Sequence, residues 1–186
     1  MHTPVQASSA FLLMIDLQER LLPAIDGHEA VLRNSVRLLT AAGELGVPLI
    51  VTEQYPRGIG PTVPGLSALI PQGVEPLSKV SFSCCAAPGF DGALAAVKGA
   101  SRGTAILFGV ETHICVLTTA MDLLARGLNV VLASDACGSR ARENHALALD
   151  AARAEGVFVA PTETVVYQML GEAGTPAFKA LLPLFK

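Results

Sequence analysis

The sequence predicts a three-layer α/β/α domain, in which a mostly parallel sheet of about six strands carries helices on both faces. Two observations predict this class. Apolar, strand-like runs alternate with amphipathic, helix-like segments along the chain, and such alternation is typical of parallel sheets with helical crossovers. The first run, Ala10–Ile15, is apolar at every position, as expected of a strand that is covered on both faces.

The first half of the chain contains a long helix and a second strand after that run. His28–Leu45 has apolar residues at i, i+3/i+4 and i+7 positions, which predicts a helix that Gly46 ends. Pro48–Thr52 is predicted as the second strand. Gly58–Pro76 is rich in Gly and Pro, which predicts a long surface loop with a weak strand at Val74–Leu77.

The second half continues the alternation, and glycines follow several of its helix-like segments. The predicted strands are Thr104–Phe108, Asn129–Ala133 and Val157–Ala160, and the predicted helices are Phe90–Gly99, His113–Arg126, Arg142–Glu155, Thr162–Leu170 and Pro176–Leu182. No internal repeat or linker interrupts this pattern. We therefore expect residues 1–186 to form a single domain.

Composition excludes several classes of protein. The 186 residues include 13 Lys and Arg against 16 Asp and Glu, a net charge of −3. With 51% hydrophobic and 16% charged residues, the chain can fill a large core, which excludes disorder. The acidic balance argues against a nucleic-acid partner, and no apolar run reaches the roughly 18 residues of a membrane span. So little surface charge also predicts a homo-oligomer.

The cysteines indicate a reducing compartment. Cys84, Cys85, Cys115 and Cys137 follow neither a disulfide framework nor a zinc-site spacing. We therefore expect a cytoplasmic protein in which each thiol depends on its own surroundings.

Three polar residues that follow predicted strands form a chemical set, because the carboxyl ends of parallel strands meet at one edge. Cys115 lies in the first turn of a predicted helix, where backbone N–H groups favour a thiolate and lower its pKa below the free value of about 8.5. Asp16 can act as general base toward this thiol, and Lys79 can hold the carboxylate and supply positive charge. Each residue alone has a structural explanation, as a core thiol, a turn residue or a surface amine. Their joint placement favours a nucleophilic site.

The sequence around this set is specific. Leu13–Gln18, Lys79–Ser83 and Gly109–Val116 occur in this order, and Ser134–Arg140 follows them. Together these segments resemble the motifs of the isochorismatase-like cysteine hydrolases. The resemblance extends over nearly the whole chain, and it implies an isochorismatase-like fold.

The resemblance also implies roles for individual residues. Asp16 would be the base, Lys79 its partner and Cys115 the nucleophile. A cis peptide bond is expected between Val110 and Glu111, with the N–H groups of Glu111 and Cys115 as the donors of an oxyanion hole.

The sequence departs from the nicotinamidases of this family, which bind a metal through histidines after the second strand. The corresponding stretch, Thr52–Pro64, contains no His, so we expect no metal and no cofactor. The retained Cys115 favours acyl chemistry on a small amide, or a related C–N bond, through a thioester. Ether hydrolysis, as in the isochorismate-cleaving members, is the alternative within the family. The Glu53–Pro64 stretch resembles an isochorismatase-domain subgroup whose activity is uncharacterised.

Four further side chains are candidates for binding the small-molecule substrate. They are Gln18, Tyr55, Phe82 and Thr112, which lie within or beside the motifs. The two aromatic rings are equally consistent with plain packing.

Two acidic residues are expected to organise loops instead. Glu53 is predicted to pair with Arg57, and Asp135 to cap the turn before the helix that begins at Arg142.

Two other functions remain open at this level. The fold could serve as a binding or assembly module with a residual triad, in which case Cys115 would titrate like an ordinary thiol and resist alkylation. Alternatively, Cys84 and Cys85 could act as a vicinal redox pair, which would not depend on Cys115.

Overall fold

Six strands form one parallel sheet in the computed structural model, which describes residues 4–99 and 101–186. The strands are β1 (Ala10–Ile15), β2 (Leu49–Gln54), β3 (Leu77–Lys79), β4 (Thr104–Val110), β5 (Asn129–Gly138) and β6 (Phe158–Ala160). Their order across the sheet is β3-β2-β1-β4-β5-β6, and every neighbouring pair is parallel. The order reverses at β1, so the β1 and β4 ends lie beside the switch point where ligands bind in such sheets.

Helices cover the sheet and complete a three-layer α/β/α architecture, as predicted. They are α1 (His28–Leu45), α2 (Pro56–Ile59), α3 (Pro64–Ser67), α4 (Phe90–Lys98), α5 (Leu117–Ala125), α6 (Arg142–Ala154), α7 (Thr162–Leu170) and α8 (Pro176–Leu181). Helix α1 packs with α7 and α8, α5 packs with α6, and α4 packs on β2. Short 3-10 turns occupy Ala7–Ser9, Leu22–Ala24, Cys84–Ala86 and Leu182–Phe185.

The core is centred on β1. All six of its side chains are fully buried, because β1 lies between β2 and β4 with its two faces covered. The continuous apolar run of the sequence therefore corresponds to a central strand. Immediately after it the chain reaches Asp16, which the core holds in place.

The middle of the chain differs from the prediction. The expected loop Gly58–Pro76 contains α3, and the last turn residues of α2 also fall in it, because prolines begin both short helices. The weak strand is Leu77–Lys79, shifted from Val74–Leu77, since its register pairs Leu77 with Thr52 and Lys79 with Gln54. This shift makes Lys79 the last residue of a strand.

Two elements after β4 also differ from the prediction. The expected helix His113–Arg126 begins as a π-helical turn, Thr112–Val116, and continues as α5. Strand β5 extends beyond Ala133 to Gly138, because β4 continues far enough to pair Val110 with Gly138.

Asp135 caps a different helix from the one predicted. Its Oδ1 accepts hydrogen bonds from the backbone N–H and the hydroxyl of Thr162, at 2.7 and 2.6 Å. Thr162 begins α7, whereas the residue before α6, Ala141, has no side-chain cap. The expectation for Arg142 was wrong because the partner of Asp135 comes from a distant segment.

We expect Asp135→Ala to destabilise the protein by about 2 kcal/mol, since it leaves two donors of the fully buried Thr162 without their acceptor. Urea denaturation measures this change. Asp150→Ala is the matched control, because Asp150 makes only an exposed pair with Arg153 and should change stability by less than about 0.5 kcal/mol. Equal losses in the two variants would contradict the capping role.

Candidate active site

The structure brings Asp16, Lys79 and Cys115 together at the carboxyl edge of the sheet. Asp16 follows β1, Lys79 ends β3 and Cys115 lies in the π-helical turn after β4. Lys79 Nζ is 2.6 Å from Asp16 Oδ2 and 3.6 Å from Cys115 Sγ. All three side chains are buried, and Cys115 retains 6% exposure.

Asp16 is held by both its backbone and its side chain. It has a left-handed conformation, with φ of 55°, which Asp tolerates better than most residues. Its N–H donates to the carbonyl of Thr52 at 3.1 Å, and its Oδ1 accepts from the Thr52 hydroxyl at 2.9 Å. The two carboxylate oxygens thus have different donors, Thr52 on Oδ1 and Lys79 on Oδ2.

Lys79 is a buried ammonium with three oxygen acceptors and the Cys115 sulfur around it. Besides Asp16, its Nζ donates to Gln54 Oε1 at 2.8 Å and to the carbonyl of Ser81 at 3.3 Å. Burial is the largest single influence and lowers the pKa of Lys79, but the charges of Asp16, Cys84 and Cys115 and the hydrogen bond with Asp16 together outweigh it, so the pKa is raised above its ordinary value. Lys79 therefore stays charged and cannot take a proton from the thiol.

The Cys115 thiol is less acidic than the sequence suggested. Burial raises the pKa of Cys115, the charge of Asp16 and a hydrogen bond with its carboxylate raise it further, and Lys79 lowers it only partly, giving about 12. The expectation of a pKa below 8.5 was based on the helix N-terminus. It fails because the buried carboxylate beside the thiol opposes a second negative charge. At neutral pH the thiol is therefore protonated.

The peptide bond between Val110 and Glu111 is cis, at the position implied by the resemblance. The Glu111 carboxylate accepts from the backbone N–H of Arg140 at 2.8 Å and from its Nε at 3.1 Å. The Glu111 side chain is therefore bound to the segment after β5, and its backbone carbonyl accepts from the N–H groups of Ile114 and Val116 in the nucleophile turn.

Of the four candidate binding residues, Gln18 and Thr112 are used internally. Gln18 Nε2 donates to the carbonyls of Gln54 and Gly60, and its Oε1 accepts from the N–H of Gln54. The Thr112 hydroxyl bonds to His145 Nδ1 at 2.8 Å. These contacts make Gln18 and Thr112 parts of the scaffold around the site.

Tyr55 and Phe82 lie at the outer edge of the site, with 55% and 60% of their surfaces exposed. The N–H of Tyr55 donates to the carbonyl of Lys79, and Val80, 79% exposed, follows Lys79 directly. We call Tyr55, Val80 and Phe82 the apolar rim. It is the exposed apolar surface beside the buried Lys79.

Glu53 supports the loop next to this rim, but through a different partner from the one expected. Its Oε1 accepts from the N–H and the hydroxyl of Thr62, at 2.7 and 2.8 Å, where a pair with Arg57 was predicted. Thr62 also forms an isolated bridge with Gln18, so Glu53 fastens the loop to the segment after Asp16.

Sequence reasoning missed the buried hydroxyls around the site. Thr52 binds the Asp16 carboxylate, and Thr119 donates to the carbonyl of Cys115 at 2.6 Å. The only signal in the sequence was a Thr inside the apolar second strand. Thr52 and Asp16 are 36 residues apart in the chain, and the contact between Thr119 and Cys115 depends on how the turn folds.

The described residues contain neither a metal-binding cluster nor a membrane-spanning helix. Residues 4–99 and 101–186 hold no group of three or more His, Cys, Asp or Glu side chains arranged to bind a metal ion. In the same ranges no helix is long and apolar enough to cross a bilayer.

The chain matches a known protein family over most of its length. Residues 10–164 match the family described as the isochorismatase domain. The chain belongs to the isochorismatase family. It is 39% identical over 179 residues to isochorismatase domain-containing protein 2A of the mouse, covering 96% of this chain and 83% of the relative. It is also 39% identical over 182 residues to isochorismatase domain-containing protein 2 of cattle, covering 98% of this chain and 85% of the relative.

Solved structures of the isochorismatase fold superpose closely on this chain. A structure described as the MAR1 ribonuclease of Caenorhabditis elegans has a TM-score of 0.90 and 34% identity, over 98% of this chain and 92% of that one. The ycaC gene product of Escherichia coli, described as an octameric hydrolase of unknown specificity, has a TM-score of 0.91. At 21% identity, over 99% of this chain and 91% of that one, the second likeness shows the fold alone. The chain thus has the hydrolase fold of the isochorismatase family.

Proposed function

We propose that this protein is a metal-independent cysteine hydrolase that cleaves a small amide or a related C–N bond through a thioester on Cys115. One observation carries the proposal: a buried, protonated thiol lies beside a carboxylate and an ammonium that are 2.6 Å apart. A thiol becomes a good nucleophile only when its proton is removed, and the base we assign is Asp16, which shares the Lys79 ammonium with Cys115.

The first half of the reaction is acylation. Asp16 takes the proton of Cys115 as the sulfur attacks the substrate carbonyl, so no free thiolate accumulates. The new C–S bond places a negative charge on the carbonyl oxygen, where the N–H groups of Glu111 and Cys115 are proposed to bind it. Asp16 then protonates the departing amine, and the C–N bond breaks to leave a thioester.

The second half is hydrolysis of this thioester. Asp16 takes a proton from a water molecule that attacks the acyl carbon, and the C–S bond breaks. The sulfur regains the proton and the acid leaves. Throughout, the Lys79 ammonium compensates the charge that passes between Asp16 and Cys115, which explains why it touches both groups.

The apolar rim supports a neutral, apolar substrate. Tyr55 and Phe82 expose rings that can pack against a flat or aliphatic group. The Lys79 ammonium has three N–H donors and already has four protein partners, so it has no need of a substrate carboxylate. We propose these two rings as the residues that bind the part of the substrate remote from its carbonyl.

The remaining parts of the proposal concern assembly and partners. We propose a cytoplasmic homo-oligomer of single-domain subunits. The description of the Escherichia coli neighbour as octameric and the low charge content of this chain favour the oligomer.

The Caenorhabditis elegans neighbour is described as a ribonuclease. The net charge of −3 gives this chain little attraction for a phosphate backbone, so we favour a small molecule and include RNA as a competing substrate in the test below.

The test is a screen of small primary amides and ureides for ammonia release, with a structured RNA in parallel. We expect turnover of an amide, an acyl adduct on the Cys115 peptide by mass spectrometry, and a loss of at least about 10³-fold in Cys115→Ser. Cys137→Ser is the matched control, since Cys137 is equally buried but lies in β5.

Three results would overturn the proposal. They are unchanged amide turnover in Cys115→Ser, cleavage of RNA without amide turnover, and a Cys115 thiol that no acylating or alkylating reagent modifies. The third would favour the assembly module, and a disulfide between Cys84 and Cys85 that forms independently of Cys115 would favour the redox alternative.

A further inference from the structure

A buried chain of hydrogen bonds leads away from the proposed general base. The Thr52 hydroxyl donates to Asp16 Oδ1 at 2.9 Å, and the Thr52 hydroxyl oxygen is also 3.5 Å from Cys84 Sγ. Thr52 and Cys84 are both fully buried. A hydroxyl has one proton, and the ionised carboxylate can only accept. The Cys84 thiol is therefore the donor in its contact with Thr52.

Cys84 is also tied to the nucleophile. Its backbone N–H donates to Thr119 Oγ1 at 2.9 Å, and this hydroxyl in turn donates to the carbonyl of Cys115 at 2.6 Å. Thr119 is fully buried in α5. Cys84 is thus connected to the base Asp16 by its side chain, through Thr52. It is connected to the carbonyl of the nucleophile Cys115 by its backbone N–H, through Thr119.

We propose that Cys84 is a positioning residue of the active site, whose thiol directs the Thr52 proton onto Asp16 Oδ1 and so fixes the carboxylate toward Cys115. This inference rests on the proposed function, because it assigns a purpose to the orientation of the base. With Oδ1 held by Thr52 and Oδ2 by Lys79, the plane of the carboxylate is set from two sides. If Cys84 were an acceptor, it would compete with Asp16 for the same proton.

The electrostatics keep Cys84 in the donor form. Burial raises the pKa of Cys84 and the charge of Asp16 raises it further, to about 11, although Lys79 lowers it in part. Its neighbour Cys85 has other partners: its N–H donates to Ser83 Oγ and its carbonyl accepts from Arg126. The two adjacent cysteines therefore differ, and only Cys84 belongs to the site.

The direct test is infrared spectroscopy of the S–H stretch. The band that disappears in Cys84→Ala belongs to Cys84, and we expect it at a lower frequency than that of a free thiol. Thr52→Val removes the acceptor, so the band should move to a higher frequency, whereas Thr52→Ser should leave it in place. A Cys84 band that does not move in Thr52→Val would overturn the proposal.

The functional test is the rate at which iodoacetamide alkylates Cys115 at neutral pH, followed by peptide mass. We expect Cys84→Ala and Thr52→Val to slow alkylation by about tenfold, and Cys84→Ser and Thr52→Ser, which retain a donor, to react like the wild type. Cys137→Ala controls for the loss of buried volume, since it should reduce stability without changing this rate.

Failure of this inference is distinguishable from failure of the proposed function. A wild-type alkylation rate in Cys84→Ala would overturn the positioning role while leaving amide hydrolysis intact. Conversely, if Cys115→Ser lost no amide turnover but the alkylation rates followed the expected pattern, the positioning would stand and the hydrolase proposal would fall.

Discussion

Replacing Asp16 by Asn is expected to make the Cys115 thiol more acidic and, at the same time, to stop hydrolysis. Burial, which raises the pKa of Cys115 most, is unchanged by this substitution. The charge and the hydrogen bond of Asp16, which raise it further, are removed, while Lys79, which lowers it, remains 3.6 Å away. The pKa of Cys115 should therefore fall. Turnover of the amide should nevertheless fall by about 10²–10⁴-fold, because no group is left to carry the proton to the amine.

Ultraviolet absorbance of the thiolate measures the first effect, with the spectrum of Cys115→Ser subtracted at each pH. The wild type should show no Cys115 thiolate near neutral pH, and Asp16→Asn should show one at lower pH than the wild type. Asp122→Asn is the matched control, since this carboxylate binds Ser83 and should not affect Cys115. A thiol that becomes more acidic without loss of turnover would exclude Asp16 as the base. An unshifted thiol would contradict its electrostatic role.

This opposition between acidity and activity could not be derived from the sequence. The apolar run Ala10–Ile15 and the polar residue after it located Asp16 at the edge of the sheet, and the three motifs identified Lys79 and Cys115. The pKa of Cys115 depends on how near these groups come to one another. Asp16 and Lys79 are 63 residues apart in the chain, and neither spacing nor composition measures their separation in the folded protein.

The wrong predictions have the same physical origin. The position of Asp135 just after the predicted strand Asn129–Ala133 suggested a local cap, but its carboxylate accepts from Thr162, 27 residues later. Glu53 was assigned a charged partner nearby, and it binds the hydroxyl and N–H of Thr62 instead. Local pattern thus predicts which residues lie at the edge of a sheet, whereas hydrogen-bond partners are decided by tertiary packing.

Gly109→Ala adds a single methyl group, and we expect it to destabilise the protein more than Asp135→Ala does. Gly109 has φ of +127°, a conformation that residues with a side chain rarely adopt, and an added Cβ would overlap the carbonyl of Ile15. The overlapping atom is backbone of the central, fully buried strand β1, so it cannot move aside as a flexible side chain would. We expect a loss of about 4 kcal/mol or more in urea denaturation.

Gly43→Ala provides the control for this substitution. Gly43 lies within α1, and an added Cβ would meet nothing within 4 Å, so Ala should stabilise the helix by about 0.5–1 kcal/mol. Gly109→Ala also reports on the site, because Gly109 pairs with Ile15, the residue before Asp16. If the variant folds, the shift of Ile15 should move the base relative to Cys115 and slow alkylation by iodoacetamide. A stable Gly109→Ala protein with wild-type alkylation would show that β1 and β4 need not approach so closely, and that the position of Asp16 does not depend on this contact.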